Sequence, residues 1–168
     1  FPARLKDCGA HAFDELSYPG DSIKQEYKED ILVGYRWHDT KKIPALFPFG
    51  HGLSYTTFTY GKPVASAKTM AADGTLTVTV AVKNTGSIAG KEIVQLYVGD
   101  DKCSVLRPVK ELKHFAKVAL APGEEKSVTF TLTPDDLKFY DEASAAWKYE
   151  SGKFKAYVCA SSADVRGV

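Results

Sequence analysis

The chain of 168 residues is long enough for one ordinary domain, or for one domain and part of another. Its 22 basic and 21 acidic side chains leave a net charge of +1, which gives no excess of positive charge for nucleic acid or for an anionic membrane. No apolar run approaches the roughly 20 residues of a membrane span, and three scattered cysteines do not make a disulfide scaffold.

Residues 1–60 are rich in aromatic side chains but show almost no regular periodicity. They hold 11 of the 20 aromatic residues. The apolar run at residues 31–33 predicts one short buried strand, and Pro and Gly interrupt much of the rest. Such a segment cannot readily bury its own aromatic rings, so we expect it to pack onto a larger body. Because the sequence begins at Phe1 without a signal peptide, we also expect a piece of a longer polypeptide.

From about residue 58 the pattern changes to strict alternation of apolar and polar residues, which is typical of half-buried antiparallel strands. Strands are predicted at 76–82, 92–98, 112–120, 128–132, 147–149 and 154–158. Thr133 followed by Pro134 predicts a capped helical turn. The predicted core consists of the inward residues of these strands: Leu76, Val78, Val80, Val82, Val94, Leu96, Val128, Phe130, Leu132, Phe154 and Val158. About seven short strands with almost no helix indicate a mainly β, immunoglobulin-like sandwich.

Three groups of residues are distinctive. Residues 27–39 read Y-K-E-D-I-L-V-G-Y-R-W-H-D, and residues 46–58 read L-F-P-F-G-H-G-L-S-Y-T-T-F. The strand region carries V-K-N-T-G at 82–86, A-G-K-E at 89–92, Q-L-Y-V at 95–98, R-P at 107–108, K-E-L at 110–112 and P-G-E at 122–124. Together they resemble the C-terminal end of glycoside hydrolase family 3, the family of many β-glucosidases and β-xylosidases. Cys159 departs from the family, which usually has Gly there.

The resemblance implies a division into three parts. Residues 1–45 would be the tail of an α/β sandwich domain, residues 46–59 a linker, and residues 60–168 a fibronectin type III-like domain. It also implies upstream catalytic domains on the same polypeptide, a glycoside or oligosaccharide substrate for that parent enzyme, and a periplasmic or secreted location.

Family members are retaining glycosidases, which need two carboxyl groups about 5 Å apart. The resemblance places the nucleophilic Asp and the acid/base Glu upstream of residue 1, and no residue here matches either one. The acidic pairs of this chain are neighbours in sequence and are typical of solvated turns. His and Cys show no metal-ligand spacing. We therefore assign no catalytic, substrate-binding or metal-binding residue and no cofactor, and expect the chain alone to be inactive.

The aromatic segment supplies the candidate site, a domain interface. Arg36 allows two readings, a substrate-facing cluster or an ion pair that fastens the segment, and the second is favoured. His51 is more readily explained by packing than by catalysis. The candidate interface residues are Tyr35, Arg36, Trp37, Phe47, Phe49, His51 and Tyr55. In the chain alone we expect the segment either to fold back along the sandwich or to exchange with a second copy, giving a homodimer.

The leading hypothesis is a non-catalytic C-terminal portion of a family 3 enzyme of the β-glucosidase type that braces the catalytic domains. A stand-alone carbohydrate-binding module is one alternative, and an adhesion or dimerisation domain is another. The aromatic residues available for sugar binding in the sandwich are Tyr97, Tyr140, Trp147, Tyr149 and Tyr157.

Overall fold

The computed structural model describes all of residues 1–168, as ten strands, one α-helix and three 3₁₀ turns. The helix α1 spans Tyr35–Lys41, and the 3₁₀ turns are Leu5–Asp7, Gly9–His11 and Pro134–Leu137. The strands are β1 Phe58–Tyr60, β2 Val64–Ala65, β3 Leu76–Asn84, β4 Gly90–Asp100, β5 Glu111–Leu120, β6 Glu125–Leu132, β7 Phe139–Asp141, β8 Ala146–Lys148, β9 Phe154–Cys159 and β10 Val165–Gly167. None of the helices has the length and apolar character of a membrane span.

Two antiparallel sheets of four strands form the sandwich. In the first, β3 pairs with β6 along one edge and with β1 and β2 along the other. The second has the order β10-β9-β4-β5. A separate two-stranded hairpin, β7–β8, follows the 3₁₀ turn at Pro134–Leu137. The expected β-sandwich is confirmed, and the short strands β1, β2, β7 and β10 are additions to the sequence prediction.

The predicted core is confirmed. Nine of its members belong to one buried cluster together with Val98 and Leu120, and the remaining two, Leu76 and Phe154, pack against that cluster while partly exposed. Each fully buried aliphatic or aromatic side chain contributes about 1.5–3 kcal/mol, so the facing sheets are the main source of stability.

The predicted helical turn after β6 is also confirmed. Thr133 is the N-cap residue of the turn Pro134–Leu137, and its backbone N–H and hydroxyl both donate to Asp136 Oδ2, at 2.8 and 3.1 Å. This pairing is the capping box that the T-P-D-D sequence specifies.

The strand predicted at residues 31–33 is wrong. The chain turns there, between Asp30 at φ 56° and Gly34 at φ 60°, and only Leu32 of the three is buried. Two left-handed residues so close together prevent an extended strand, and one buried side chain is enough to explain the apolar run. Directly afterwards comes α1, a helix that the sequence analysis did not predict because seven residues carry too little periodicity.

Strand β4 is buried on both faces, from Val94 to Val98. Its inward residues point into the sandwich, but Gln95 and Tyr97 lie on the opposite face of the sheet. Residues from α1 and from the following loop cover that face, which brings the N-terminal segment onto the sandwich.

Candidate functional site

Helix α1 contacts the β4–β5 pair through Tyr35, on the side of the sheet that faces away from the sandwich core. Its phenol oxygen accepts a hydrogen bond from Leu112 N at 2.9 Å. Its ring meets the ring of Tyr97 edge-on at 5.6 Å and lies 5.3 Å from the ring of Phe49. Tyr97 is completely buried, its hydroxyl donates to Gln95 Oε1 at 2.6 Å, and burial raises the pKa of its phenol. The aromatic pair therefore joins the segment to the sheet by direct packing.

Two ion pairs flank this aromatic contact. Lys110 Nζ lies 2.5 Å from Asp39 Oδ2, and the two side chains are only 9% and 14% exposed. Arg36 Nη2 lies 3.2 Å from Glu111 Oε1 at a more open position. Of the two readings of Arg36, the structure shows the one in which it fastens the segment to the sandwich. Both pairs join α1 to the region just before β5 or at its start.

Glu111 is shared between the segment and the sandwich. Its carboxylate also accepts a 2.7 Å hydrogen bond from the buried guanidinium of Arg107, which donates to the Leu137 carbonyl as well. Burial alone would raise the pKa of Glu111, but the Arg107 hydrogen bond and the charges of Lys113 and Arg36 lower it overall. The carboxylate therefore stays ionised and can hold both arginines.

The loop after Phe49 passes so close to β4 that it requires glycine. Gly50 has φ 79°, and a Cβ at this position would lie 2.3 Å from Gln95 Nε2. The same amide nitrogen donates to Ala160 O at 3.0 Å, and the Phe49 carbonyl accepts from Ser162 N at 2.8 Å. The P-F-G-x-G sequence thus fastens the loop to both β4 and the turn after β9.

Asn84 at the end of β3 fastens the next part of the loop, and the sequence analysis did not single it out. Its Oδ1 accepts from Thr56 Oγ1 at 2.6 Å, while its Nδ2 donates to the carbonyls of Ile88 and Leu120 at 2.8 and 3.1 Å. A Cβ at Gly90 would lie 2.6 Å from Thr56 Cγ2. The available signal was the N-T-G sequence at 84–86 and the A-G sequence at 89–90, which form the contacts around the completely buried Asn84.

The opposite side of the segment is apolar and open to solvent. Leu53 and Tyr55 are 94% and 96% exposed, and Phe1, Phe47 and Phe49 are also exposed. An open groove of about 810 Å³ lies beside these phenylalanines and is also lined by Trp37 and His51. We use the name outer face for Phe1, Phe47 and Phe49 with the groove that they line, together with the exposed Leu53 and Tyr55 that follow in the chain.

The candidate interface residues therefore divide into two groups. Tyr35 and Arg36 hold the segment to the sandwich. Trp37 is buried within the segment, and its Nε1 donates to the Asp7 carbonyl at 3.1 Å. The others lie on or beside the outer face: Phe47, Phe49, His51 and Tyr55. The ring of His51 lies 5.4 Å from the ring of Phe47, which is a packing contact. That these four side chains become buried against another domain stays a prediction.

A fibronectin type III-like domain matches residues 92–162. The β-glucosidase BoGH3A from Bacteroides ovatus is 66% identical over 99% of this chain, and the match covers 22% of that protein. A crystal structure of a β-glucosidase from Streptomyces venezuelae, in complex with D-glucose, is 43% identical with a TM-score of 0.89, over 99% of this chain and 21% of that one. A GH3 β-glucosidase from Bifidobacterium adolescentis is 36% identical with the same TM-score, over 99% and 24%.

The chain is a C-terminal part of a family 3 glycoside hydrolase. It spans about one fifth of the length of the relatives that it matches, and in those relatives the region belongs to the same polypeptide as the catalytic domains. The fibronectin type III-like domain is its non-catalytic portion.

The acidic pairs of this family 3 portion differ in their surroundings. Asp100 lies 3.7 Å from the guanidinium of Arg107, whereas Glu29 is buried and belongs to no ion pair. No cluster of His, Cys, Asp and Glu has the arrangement of a metal site.

The aromatic residues of the sandwich do not form a flat row for sugar binding. Tyr97 is completely buried, and Tyr157 is partly buried. The exposed rings of Tyr140 and Trp147 are 5.7 Å apart but stand at 73° to each other. Tyr149 is exposed on the chain after β8. The carbohydrate-binding alternative is not favoured, and nothing in the comparisons supports a homodimer.

Proposed function

We propose that this chain braces the catalytic domains of a retaining β-glucosidase, and that the outer face is the surface that contacts them. The observation that supports this proposal is the contrast between the two sides of residues 35–57. One side is fastened to the sandwich by Tyr35, Asp39, Gly50 and Thr56. The other side leaves large apolar side chains in water, although burying each would be worth about 1.5–3 kcal/mol.

The proposed occupant of the outer face is the rest of the same polypeptide. In the relatives about four fifths of the length lies outside the matched region. Phe1 lies at the groove and is held there by a 2.5 Å hydrogen bond from its amino group to the Phe47 carbonyl. In a longer polypeptide the preceding residues would therefore join the chain at the outer face.

The activity proposed for that longer polypeptide is retaining hydrolysis of a β-glucoside, from the similarity to proteins named as β-glucosidases. Both carboxyl groups of the reaction would come from its other domains. Its substrate would be a glycoside or oligosaccharide, and its location the periplasm or the outside of the cell.

The test compares the 168-residue chain with the longer polypeptide. The double variant Leu53→Ser/Tyr55→Ser should leave the unfolding midpoint of the chain alone unchanged, because both side chains are already in water. In the longer polypeptide it should lower the unfolding midpoint and the rate of nitrophenyl β-glucoside hydrolysis. Val64→Ser is the matched control, an exposed aliphatic side chain on β2. Equal behaviour of the double variant and the control in the longer polypeptide would refute the bracing role.

A further inference from the structure

His38 is a buried side chain of α1 with one ring nitrogen that the chain leaves unpaired. The residue is 9% exposed, and its Nδ1 lies 3.0 Å from the Ile43 carbonyl oxygen. Because a carbonyl oxygen only accepts, the hydrogen of the neutral ring is on Nδ1, and Nε2 keeps a lone pair. The contact with Ile43 is the one hydrogen bond of this imidazole. Nε2 is therefore an acceptor without a donor.

This nitrogen can be reached from outside the chain. The side-chain polar atoms that are fully enclosed without a hydrogen-bond partner are Glu29 Oε2 and His114 Nε2. Since His38 Nε2 also lacks a partner but is not one of them, it is not fully enclosed. His38 is one of the residues that line the groove of the outer face. A side chain placed in this groove therefore has access to Nε2.

The lining of the groove favours an uncharged aromatic donor. Its walls include Trp37, Phe47 and Phe49. The carboxylate of the lining, Asp39, already pairs with Lys110, and the exposed Lys42 adds a positive charge. An inserted cation would be repelled by Lys42 and would lose its hydration against apolar walls. An aromatic ring with an O–H or N–H group fills the apolar space and can donate to Nε2.

We propose that the groove receives a tyrosine or tryptophan side chain from the remainder of the longer polypeptide, and that His38 Nε2 accepts its hydrogen bond. This inference rests on the proposed bracing function. In the relatives about four fifths of the length lies outside the matched region, and Phe1 lines the same groove. The hydrogen bond would fix the orientation of the apolar contact, because any other orientation leaves a buried donor unpaired.

Two substitutions separate this role from a structural one. The amide nitrogen of an asparagine can take the place of Nδ1 and donate to the Ile43 carbonyl, but no atom of the shorter side chain takes the place of Nε2. A glutamine can present its amide oxygen at the position of Nε2, but it leaves the Ile43 carbonyl without its donor. His38→Asn should therefore weaken the docking of the two bodies, and His38→Gln should preserve it.

The measurement is the rate at which a disulfide reagent modifies Cys8, which lines the groove, relative to Cys103, which does not. In the 168-residue chain both variants should leave this ratio within about twofold of the parent value, because the groove is open. In the longer polypeptide Cys8 should react at least about tenfold more slowly than in the chain alone. There His38→Asn should accelerate the reaction about tenfold, and His38→Gln should change it less than about twofold.

Equal rates for the two variants of the longer polypeptide, or a larger effect of His38→Gln than of His38→Asn, would overturn the inference. Unfolding of both variant chains would also overturn it, since His38 would then be structural. The bracing function is judged separately by Leu53→Ser/Tyr55→Ser. If that double variant destabilises only the longer polypeptide while His38→Asn leaves Cys8 slow to react, the His38 contact is wrong and the brace stands. If neither experiment distinguishes the two contexts, both proposals fail.

Discussion

The ion pair between Asp39 and Lys110 should carry much of the attachment of α1 to the sandwich. Asp39→Asn leaves the Lys110 ammonium 9% exposed and without its counter-charge. The remaining neighbour is the ring of Tyr97, whose centroid lies 5.6 Å from Nζ. A cation over an aromatic ring gains about 0.5–2 kcal/mol, so the ring offsets part of the loss.

The size of the expected loss in unfolding free energy follows from the burial of the ion pair. Breaking a buried pair by removing one partner costs about 3–5 kcal/mol, and the offset from Tyr97 lowers the expected cost of Asp39→Asn to about 2–4 kcal/mol. Lys110→Met leaves the Asp39 carboxylate 14% exposed and unpaired, so its cost should be similar. The double variant removes both charges together and should cost about 1–3 kcal/mol less than the sum of the two.

Urea unfolding of the parent chain, the two single variants and the double variant gives the coupling free energy. All four carry Trp147→Phe, so that Trp37 is the only source of tryptophan fluorescence, and unfolding is also followed by far-ultraviolet circular dichroism. Trp37 reports the segment and circular dichroism reports the sheets, so local detachment would appear as two separate transitions. Lys155→Met, which removes the partner of Asp101 in a half-exposed pair, is the control and should cost under about 1 kcal/mol. Additive costs of Asp39→Asn and Lys110→Met, within about 0.5 kcal/mol, would refute the reasoning.

Three further predictions concern single positions. Gly50→Ala should lower the free energy of unfolding, measured in urea, by about 1–3 kcal/mol, because its Cβ would clash with Gln95 at a left-handed φ. Gly52→Ala, with open space around it, should have an effect under about 1 kcal/mol, and equal effects of the two substitutions would contradict the close approach of Gly50 to Gln95. Burial raises the pKa of Glu92 above its usual 4.5, so the unfolding midpoint should fall as the pH rises from about 4.5 through the folded pKa. Glu92→Gln should remove this fall, and the same pH dependence in both proteins would exclude Glu92 as its cause. Burial raises the pKa of Cys159 to about 12, so a disulfide reagent at pH 8 should modify the other two thiols and leave Cys159 unmodified until urea is added. Mass spectrometry identifies the modified residues, and modification of Cys159 in the folded protein would be inconsistent with its burial.

The sandwich could be predicted from the sequence because its strands bury one face and expose the other. The alternation of Val78, Val80 and Val82 with small polar residues specifies both the strand and the inward face, without knowledge of the partner strand. The capped turn at Thr133 could also be predicted, since its hydrogen bonds connect residues only three apart in sequence.

The contacts of the candidate site were harder to predict from the sequence, because they join residues that are distant in sequence. Tyr35 meets Leu112, and Asp39 meets Lys110, across more than 70 residues. The aromatic content of residues 1–60 predicted that the segment packs on a larger body. Of the two outcomes expected, the structure shows the segment folded back along the sandwich. The aromatic content did not predict a helix, and it did not identify the sheet face that the segment covers.

The failure at residues 31–33 has a specific physical cause. Three consecutive apolar residues are equally compatible with a strand and with a turn that buries one of them. The backbone at Asp30 and Gly34 decides between the two, and neither left-handed conformation could be read from the sequence with certainty. Asn84 was overlooked for a related reason, because its amide bonds to residues on three different parts of the chain.

Hydrogen–deuterium exchange, compared between the 168-residue chain and the longer polypeptide, tests the bracing role most directly. The amides of α1 should be protected in both proteins, because the attachment of α1 to the sandwich lies within these 168 residues. The amides of residues 46–55 should exchange readily in the chain alone and become protected in the longer polypeptide, where the outer face is covered. Unchanged exchange at residues 46–55, or random-coil exchange of α1 in the chain alone, would contradict the account.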